Sequence, residues 1–449
     1  MTPASPHALW PGTSYYEHEL GSDRLMHSPP DQTQYHRIII IGGGLAGLSA
    51  AWSLVERGIT DIAICEAHQP GHGASGRNGG FVFAGYSLSN EALVKQAGLD
   101  AGRALHRWTR EAVGVVRQRI NQLDIDCQAN DAGVLLADWF SDDRALRAFQ
   151  HRMAEMLDFQ LDWVDQTTCQ QLITSRRYGA ALHEPGSFHF HPLRYVQGLI
   201  HALLEAGVRI YGQTPVARLY PAPKNPGNTS AGWVIETPKA QLYAEEVIVA
   251  TGGYDTRLWP RLGRAIQPIA TYIATTPPLG EVIGSLIPEE HAIYDTRFAF
   301  DYYRPLPDTR LLWGGRISVQ ARSPDQIKHV LKRDLMKVFP QLKGIDFDHA
   351  WGGWMGYTRH QMPLLGRDPS GLWHATGFGG HGMAPTTLAG EIVAEAIMGD
   401  TTRLNAYQQW RPVWAGGLVG RAWAQGTYWA LGLKDWLRDR SALSRASRG

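Results

Sequence analysis

Arg37-Ile38-Ile39-Ile40-Ile41-Gly42-Gly43-Gly44-Leu45-Ala46-Gly47-Leu48 delivers a buried-type strand straight into a glycine turn and a helix. This is the pattern of a dinucleotide-binding turn, in which each glycine has its own task. Gly42 permits the tight turn, Gly44 lets the backbone approach a pyrophosphate, and Gly47 lets the helix pack close to the strand, so that the amides from Leu45 and Ala46 onward face the phosphates. A bare G-x-G-x-x-G is weak evidence, so its surroundings decide. Leu45, Leu48, Trp52 and Val55 recur at helical spacing, and Asp61-Ile62-Ala63-Ile64-Cys65-Glu66 reads as a second strand ending in a carboxylate. Glu66 follows Gly42 by about 24 residues, where a ribose-binding acid belongs. A chance glycine turn with a solvated Glu66 would not need strand, turn, helix and acid in this order.

A chain of 449 residues is long enough for two or three domains with substantial cores. Its formal net charge of +1 and lack of any block of like charge exclude a nucleic-acid-binding composition and favour small-molecule chemistry. Cys65, Cys127 and Cys169 are far apart and have no metal-ligand spacing, so they read as reduced thiols with no metal site. Met1 to Pro6 lacks the basic and apolar regions of a signal peptide, and a cytoplasmic location is the simplest expectation. Ile38 to Val55 has about the length of a membrane span, but its glycines and serines fit strand-turn-helix better, and no transmembrane segment is expected. Trp423, Tyr428, Trp429, Leu431, Leu433 and Trp436, followed by Arg438 and Arg440, predict a helix packed on the body; a membrane-surface helix is the alternative.

Residues 1–35 have no regular period and read as an irregular extension. Leu93 to Ile120 and Asp142 to Leu157 carry helical patterns. Leu193 to Ala206 predicts a helix leading into the short strand Val208 to Tyr211. Gly232 to Glu236 and Glu245 to Ala250 read as strands, the second ending at Thr251-Gly252-Gly253, a turn able to touch a cofactor backbone. Thr271 to Thr276, Phe298 to Arg304 and Leu311 to Val319 suggest a mixed or antiparallel substrate sheet. Leu372 to Gly377 reads as a last buried strand before a helix over Leu388 to Met398.

Several separated motifs converge on one family. The chain resembles the FAD-dependent D-amino-acid oxidase superfamily, and within it the gamma-glutamylputrescine oxidases most closely. The resemblance rests on Ser14-Tyr15-Tyr16, Gly73-Ala74-Ser75-Gly76-Arg77-Asn78-Gly79-Gly80, Asp301-Tyr302-Tyr303-Arg304, Leu311-Leu312-Trp313-Gly314-Gly315, Phe339-Pro340-Gln341-Leu342-Lys343-Gly344 and Gly380-His381-Gly382. It implies an α/β plus α+β chain: a discontinuous Rossmann-like FAD-binding domain (36–92, 180–262 and 360–449, with the C-terminal helix) and a mixed or antiparallel-sheet substrate domain (93–179 and 263–359), of D-amino-acid oxidase/glutathione-reductase-like type.

Small residues in the loop Ala74, Ser75, Arg77, Asn78 and Gly79 suit close approach to a flat ring system, with Arg77 and Asn78 as donors to a phosphate or flavin oxygen; a surface turn with a solvated arginine is the bland alternative. The resemblance adds Ala67, Val216, Thr251 and Gly252 to the cofactor contacts. Gly377-Phe378-Gly379-Gly380-His381-Gly382 spells a second G-x-G-x-x-G, but the resemblance assigns it to the flavin, with amides around Gly382, Met383 and Ala384 stabilising negative charge on the reduced ring. His381 is a weak catalytic candidate, with a packing role favoured. The superfamily takes a neutral amine and moves a hydride from its alpha carbon to the flavin, so no catalytic side chain is required.

Departures from relatives narrow the substrate. Sarcosine oxidases hold the carboxylate with a basic residue where this chain has Ala384, and the arginine of glycine and D-amino-acid oxidases falls near Met355. Neither anchor is in register, although Arg316 and Arg359 are possible substitutes. The segment Trp351 to Thr358 lacks the cysteine of covalent attachment, so FAD is expected to be noncovalent. The oxygen-activating lysine also has no match near Leu312 to Arg316, leaving oxygen or another electron carrier as acceptor. Tyr302, Tyr303, Trp313, Arg316 and Trp354 are the expected substrate contacts, with core aromatics as the alternative reading of the rings. The expectation is an amine oxidase for gamma-glutamylputrescine or a similar omega-amine, giving aldehyde, ammonia and peroxide. The alternatives are a secondary-amine or amino-acid dehydrogenase and a non-enzymatic flavin-binding protein.

Overall fold

The computed structural model describes residues 13–21, 25–222, 232–254, 257–298 and 300–446, with side chains through residue 440. The expected signal-free N-terminus lies outside these residues, as does position 299 of the strand expected over Phe298 to Arg304.

The isoleucine run lies at the centre of an eight-stranded sheet. Strand Gln34–Ile41 pairs in parallel with Gln241–Val249 on one side and Ile62–Cys65 on the other, and Ile62–Cys65 continues in parallel to Arg209–Tyr211. Ile38, Ile39, Ile40 and Ile41 are all buried because a central parallel strand is covered on both faces. Trp373–Thr376 pairs in parallel with the far side of Gln241–Val249, with Leu364–Arg367 antiparallel at the edge. The antiparallel strands Trp233–Glu236 and Arg218–Pro221 extend from Gln241–Val249 off the main path.

Helix Leu45–Val55 makes the crossover from the first strand to the second, and helix Met383–Ile397 packs against it. Their contact needs Gly390, where a Cβ would stand 2.5 Å from the Ser49 carbonyl carbon. This second helix begins before the expected Leu388, directly after the Gly380-His381-Gly382 turn.

The second sheet also has eight strands, in the order His349–Thr358, Ile266–Thr275, Leu311–Ser318, Tyr302–Pro305, Ala292–Asp295, Val134–Ala137, Ala181–Glu184 and Asp162–Val164. It is mixed: Ala292–Asp295 pairs in parallel with Val134–Ala137, and the other pairings are antiparallel. Helix Pro324–Val338 covers one face with a core that includes Trp313, Tyr303 and Phe339.

Several expectations are corrected. The extension 1–35 contains the helix Tyr15–Leu20, started by a reciprocal capping box between Ser14 and Glu17, and the first strand begins inside it at Gln34. The helical stretch Leu93 to Ile120 is two helices, Asn90–Ala97 and Leu99–Gln122, separated at Gly98 with φ +83°. Ala181–Glu184, assigned with the FAD-binding segment, pairs instead in the second sheet. The Trp-rich helix Gly417–Ala446 contacts Ile266–Thr275 and Leu311–Ser318 of that sheet rather than joining the cofactor side.

Candidate functional site

A cavity of about 1220 Å³ opens between the two sheets. Its first end is built by the opening strand-turn-helix. Gly42, with φ +114°, turns so tightly that a Cβ would stand 2.5 Å from the Ala250 carbonyl oxygen. Gly42, Gly44, Leu45 and Ala46 line the cavity; Gly47 does not, because it packs on the turn itself, where a Cβ would meet the Gly42 carbonyl oxygen at 2.1 Å. Its part is to seat the helix.

Glu66 and Ala67 reach the same end from the second strand. The Glu66 carboxylate accepts from the amides of Gly43 at 2.8 Å and His68 at 2.9 Å, which fixes it across the turn. Neighbouring Cys65 also lines the cavity, but burial pushes its thiol up to about 12, so it stays protonated and unreactive. Val216, Thr251 and Gly252 complete this region.

The loop Ala74 to Gly79 forms one wall. The Ser75 hydroxyl accepts from the Leu45 amide at 2.8 Å, at the start of a helix whose N-cap, Gly44, has no side chain to cap with. Asn78 and Arg77 line the cavity but spend most of their hydrogen-bonding groups within the protein. The Asn78 amide nitrogen donates to the Ala74 and Ser75 carbonyls and its oxygen accepts from Gly80 N–H, so it braces the loop. Arg77 donates to the His72 carbonyl and pairs with Glu17 of the extension at 2.9 Å. Its remaining terminal nitrogen, Nη1, is buried without a hydrogen-bond partner. Tyr16 and Trp351 add bonds to the Asn78 and Arg77 carbonyls, at 2.9 Å each. The extension therefore locks the loop.

The other end is formed by Gly380, His381, Gly382 and Met383, again at a helix start without a side-chain cap. Ala384 lies one step further in, fully buried behind the lining. His381 packs edge-on against Phe83, with ring centroids 4.7 Å apart, and desolvation holds its imidazole down at about 4. It is neutral at pH 7 and packed, an arrangement suited to shaping the wall.

Of the five expected substrate contacts, Tyr302, Arg316 and Trp354 reach the cavity, whereas Tyr303 and Trp313 do not. Register explains the split. Tyr303 pairs directly with Trp313, and Tyr302 with Gly314. The first pair points into the core and stacks with ring planes 3° apart, while Tyr302 turns to the opposite face. Its ring lies between Gly79 and Gly314, where a Cβ would come within 2.7 and 2.2 Å of it respectively. Arg316 is tied by Nε to buried Asp334 at 2.7 Å. It is the cationic residue among the cavity residues supplied by the second sheet, and Arg359 does not line the cavity.

Sequence reading missed Phe83, Tyr254, Tyr294, Phe300, Tyr357 and Tyr428, all of which line the cavity. Tyr254 follows the Thr251-Gly252-Gly253 turn directly, a local signal; its hydroxyl accepts from Trp354 N–H at 3.2 Å. Tyr294 faces Tyr302 across paired strands, which requires the register to see.

The residues present fit FAD. Two helix starts whose N-cap glycines carry no capping side chain open on the cavity, a half-buried carboxylate sits at the end of the second strand, and an unsatisfied guanidinium nitrogen lies in the loop wall. Among the described residues there is no group of acids, histidines and cysteines able to hold a metal, and no helix long and apolar enough to cross a membrane.

Comparison with known proteins agrees with this geometry. The model of the DAO family, described as FAD dependent oxidoreductase, matches residues 37–396. Gamma-glutamylputrescine oxidoreductase of Escherichia coli K12 is 34% identical over 375 residues, covering 82% of this chain and 85% of that protein. A probable oxidoreductase, OrdL, of Haemophilus influenzae is 31% identical over 414 residues, covering 88% and 90%. Among solved structures, glycine oxidase from Bacillus cereus superposes with TM-score 0.68 at 18% identity, over 83% of this chain and 98% of that one. L-proline dehydrogenase from P. horikoshii gives 0.68 at 18%, over 84% and 96%.

Proposed function

Since the chain belongs to the DAO family of FAD-dependent oxidoreductases, we propose that it oxidises gamma-glutamylputrescine or a similar omega-amine to an imine, which hydrolyses to aldehyde and ammonia while oxygen becomes peroxide. That it is an FAD-dependent enzyme acting on CH–NH2 or CH–NH groups follows from the family and its relatives. The finer assignment is supported by the identity to the E. coli gamma-glutamylputrescine oxidoreductase and by one observation: the second sheet offers the cavity a single arginine, already engaged by Asp334. An alpha-carboxylate beside the reacting amine finds no free cation on that wall, whereas an aliphatic amine finds rings.

When bound, FAD supplies the two-electron acceptor. In this proposal Gly44, Leu45, Ala46 and Ser75 hold its phosphates and Glu66 its ribose. The amides at the start of helix Met383–Ile397 would face its flavin ring and favour negative charge there. Tyr302, Trp354, Tyr294, Phe83 and Tyr357 exclude water and position the alkyl chain. Desolvation by these rings lowers the affinity of the amine for its proton, which favours the neutral form that reacts. In this proposal FAD is held noncovalently, in keeping with Cys65, beside Glu66, being the one cysteine among the described cavity residues.

Among the described residues no lysine lines the cavity, which favours as a second reading a dehydrogenase that passes electrons to a carrier. One experiment separates these readings: the flavin's visible absorbance is followed without oxygen as gamma-glutamylputrescine, putrescine, sarcosine or a D-amino acid is added. Bleaching by gamma-glutamylputrescine, reversed by air with peroxide formed, supports the proposal. Bleaching that air does not reverse points to the dehydrogenase, and bleaching by sarcosine or an amino acid alone rejects the substrate class.

A further inference from the structure

The Trp-rich helix Gly417–Ala446 is amphipathic in the reverse of the usual sense. Its polar side faces the protein. The Arg421 guanidinium donates to the Val319 carbonyl at 2.6 Å, the Gln425 side-chain oxygen accepts from Val319 N–H at 3.3 Å, the Asp435 carboxylate accepts from Phe298 N–H at 2.8 Å, and Asp439 pairs with Arg177. The opposite side carries Leu418, Val419, Trp423, Trp429, Leu433 and Trp436. Trp423 is 79% exposed, Trp429 71%, Leu418 75% and Val419 76%. At 100° per residue these six side chains fall on one contiguous face. Trp414, just before the helix, is 63% exposed and extends it. So large a contiguous apolar face left exposed to solvent marks an interaction site.

Charge identifies the occupant. Both acids of the described helix, Asp435 and Asp439, are turned inward and engaged there, whereas Lys434, Arg438 and Arg440 are exposed beside the apolar face. The Arg440 guanidinium lies 4.1 Å from the centre of the Trp436 ring, placing a cation at the edge of the tryptophan surface. Tryptophan is the side chain suited to the boundary between headgroup and acyl chain, and a cationic rim complements anionic headgroups. A second copy meeting the same face about a two-fold axis would bring two cationic rims into one contact with no acid between them. We propose that this face lies flat on an anionic lipid bilayer. The contact is peripheral, since no described helix is able to span.

The test uses the full-length, FAD-loaded protein in flotation with vesicles of phosphatidylcholine alone or mixed with phosphatidylglycerol. The expected result is flotation with the mixed vesicles, weakened by salt. Substitution of Trp423, Trp429 and Trp436 by serine, or of Lys434 and Arg440 by glutamate, should lower the partition coefficient about tenfold or more at unchanged flavin content. The two variants alter exposed side chains of different chemistry, so a fold defect in one leaves the other to decide. Absence of flotation with mixed vesicles, or flotation equal to wild type in both variants, overturns the proposal. Lipid-free sedimentation showing a dimer that the tryptophan variant abolishes also overturns it, assigning the face to a second copy.

Discussion

Replacing Glu17 by glutamine removes one charge and almost no volume from the junction that locks the Ala74 to Gly79 loop. The Arg77 side chain is 5% exposed and that of Glu17 15%, and their ion pair measures 2.9 Å. Breaking a buried pair from one side costs about 3–5 kcal/mol, because the remaining charge stays in a poorly solvated site. The Arg77 bond to the His72 carbonyl survives and Glu17 has some access to water, which puts the expected loss near the lower limit, about 3 kcal/mol, or roughly two orders of magnitude in the folding equilibrium. Ser14→Ala is the matched control. It removes the hydroxyl that accepts from the Glu17 amide but leaves the charge pair, and should cost about 1 kcal/mol. Urea unfolding at one fixed FAD concentration measures both, since bound cofactor adds its own stabilisation. A Glu17→Gln loss below about 1 kcal/mol, or no greater than that of Ser14→Ala, would refute the reasoning and show that the pair behaves as a surface contact.

Truncating Trp313 to alanine should cost about 3–5 kcal/mol in urea unfolding and leave the KM for amine unchanged, while Tyr302→Ala should lower kcat/KM about tenfold; a KM effect at Trp313 would contradict its place outside the cavity. Gly47→Ala sets a methyl group against the Gly42 carbonyl oxygen and should yield protein depleted in flavin, read as the ratio of visible to ultraviolet absorbance. Burial raises the Glu184 carboxyl from 4.5 to about 7, so between those pH values the unfolded chain loses this proton while the folded protein keeps it, and stability falls as pH rises. Glu184→Gln should therefore gain on wild type by up to about 3 kcal/mol between acid and mildly alkaline pH in urea unfolding, and a gap that stays constant with pH would exclude this origin.

The cofactor half of the fold is legible because its rules are local. Ile38 to Ile41 announces a strand covered on both faces, and the task of Gly47 follows from its spacing to Gly42. Ser14 and Glu17 also spell a capping box, but the helix they start is six residues long and has no apolar period to reveal it. Ala181–Glu184 failed for the opposite reason. Its apolar residues mark a strand, but its sheet is decided by pairing with Val134–Ala137, more than forty residues earlier in the chain.

The same distinction governs the site. Alternation requires Tyr302 and Tyr303 to face opposite ways, but which one meets the cavity depends on Gly314 lying opposite the first and Trp313 opposite the second. Arg77 and Asn78 are recognisable as donors, but their acceptors include Glu17 in a segment without periodicity, so their bracing role is visible only in three dimensions. The Trp-rich helix carries this furthest. Its composition announces two unlike faces, and solvent alone would turn the tryptophans inward. The body instead offers the helix the backbone of Val319, the amide of Phe298 and the Arg177 guanidinium, groups that Arg421, Gln425, Asp435 and Asp439 satisfy and tryptophans would leave unpaired. Polar matching at the inner surface sets the orientation, and the exposed apolar face is its consequence.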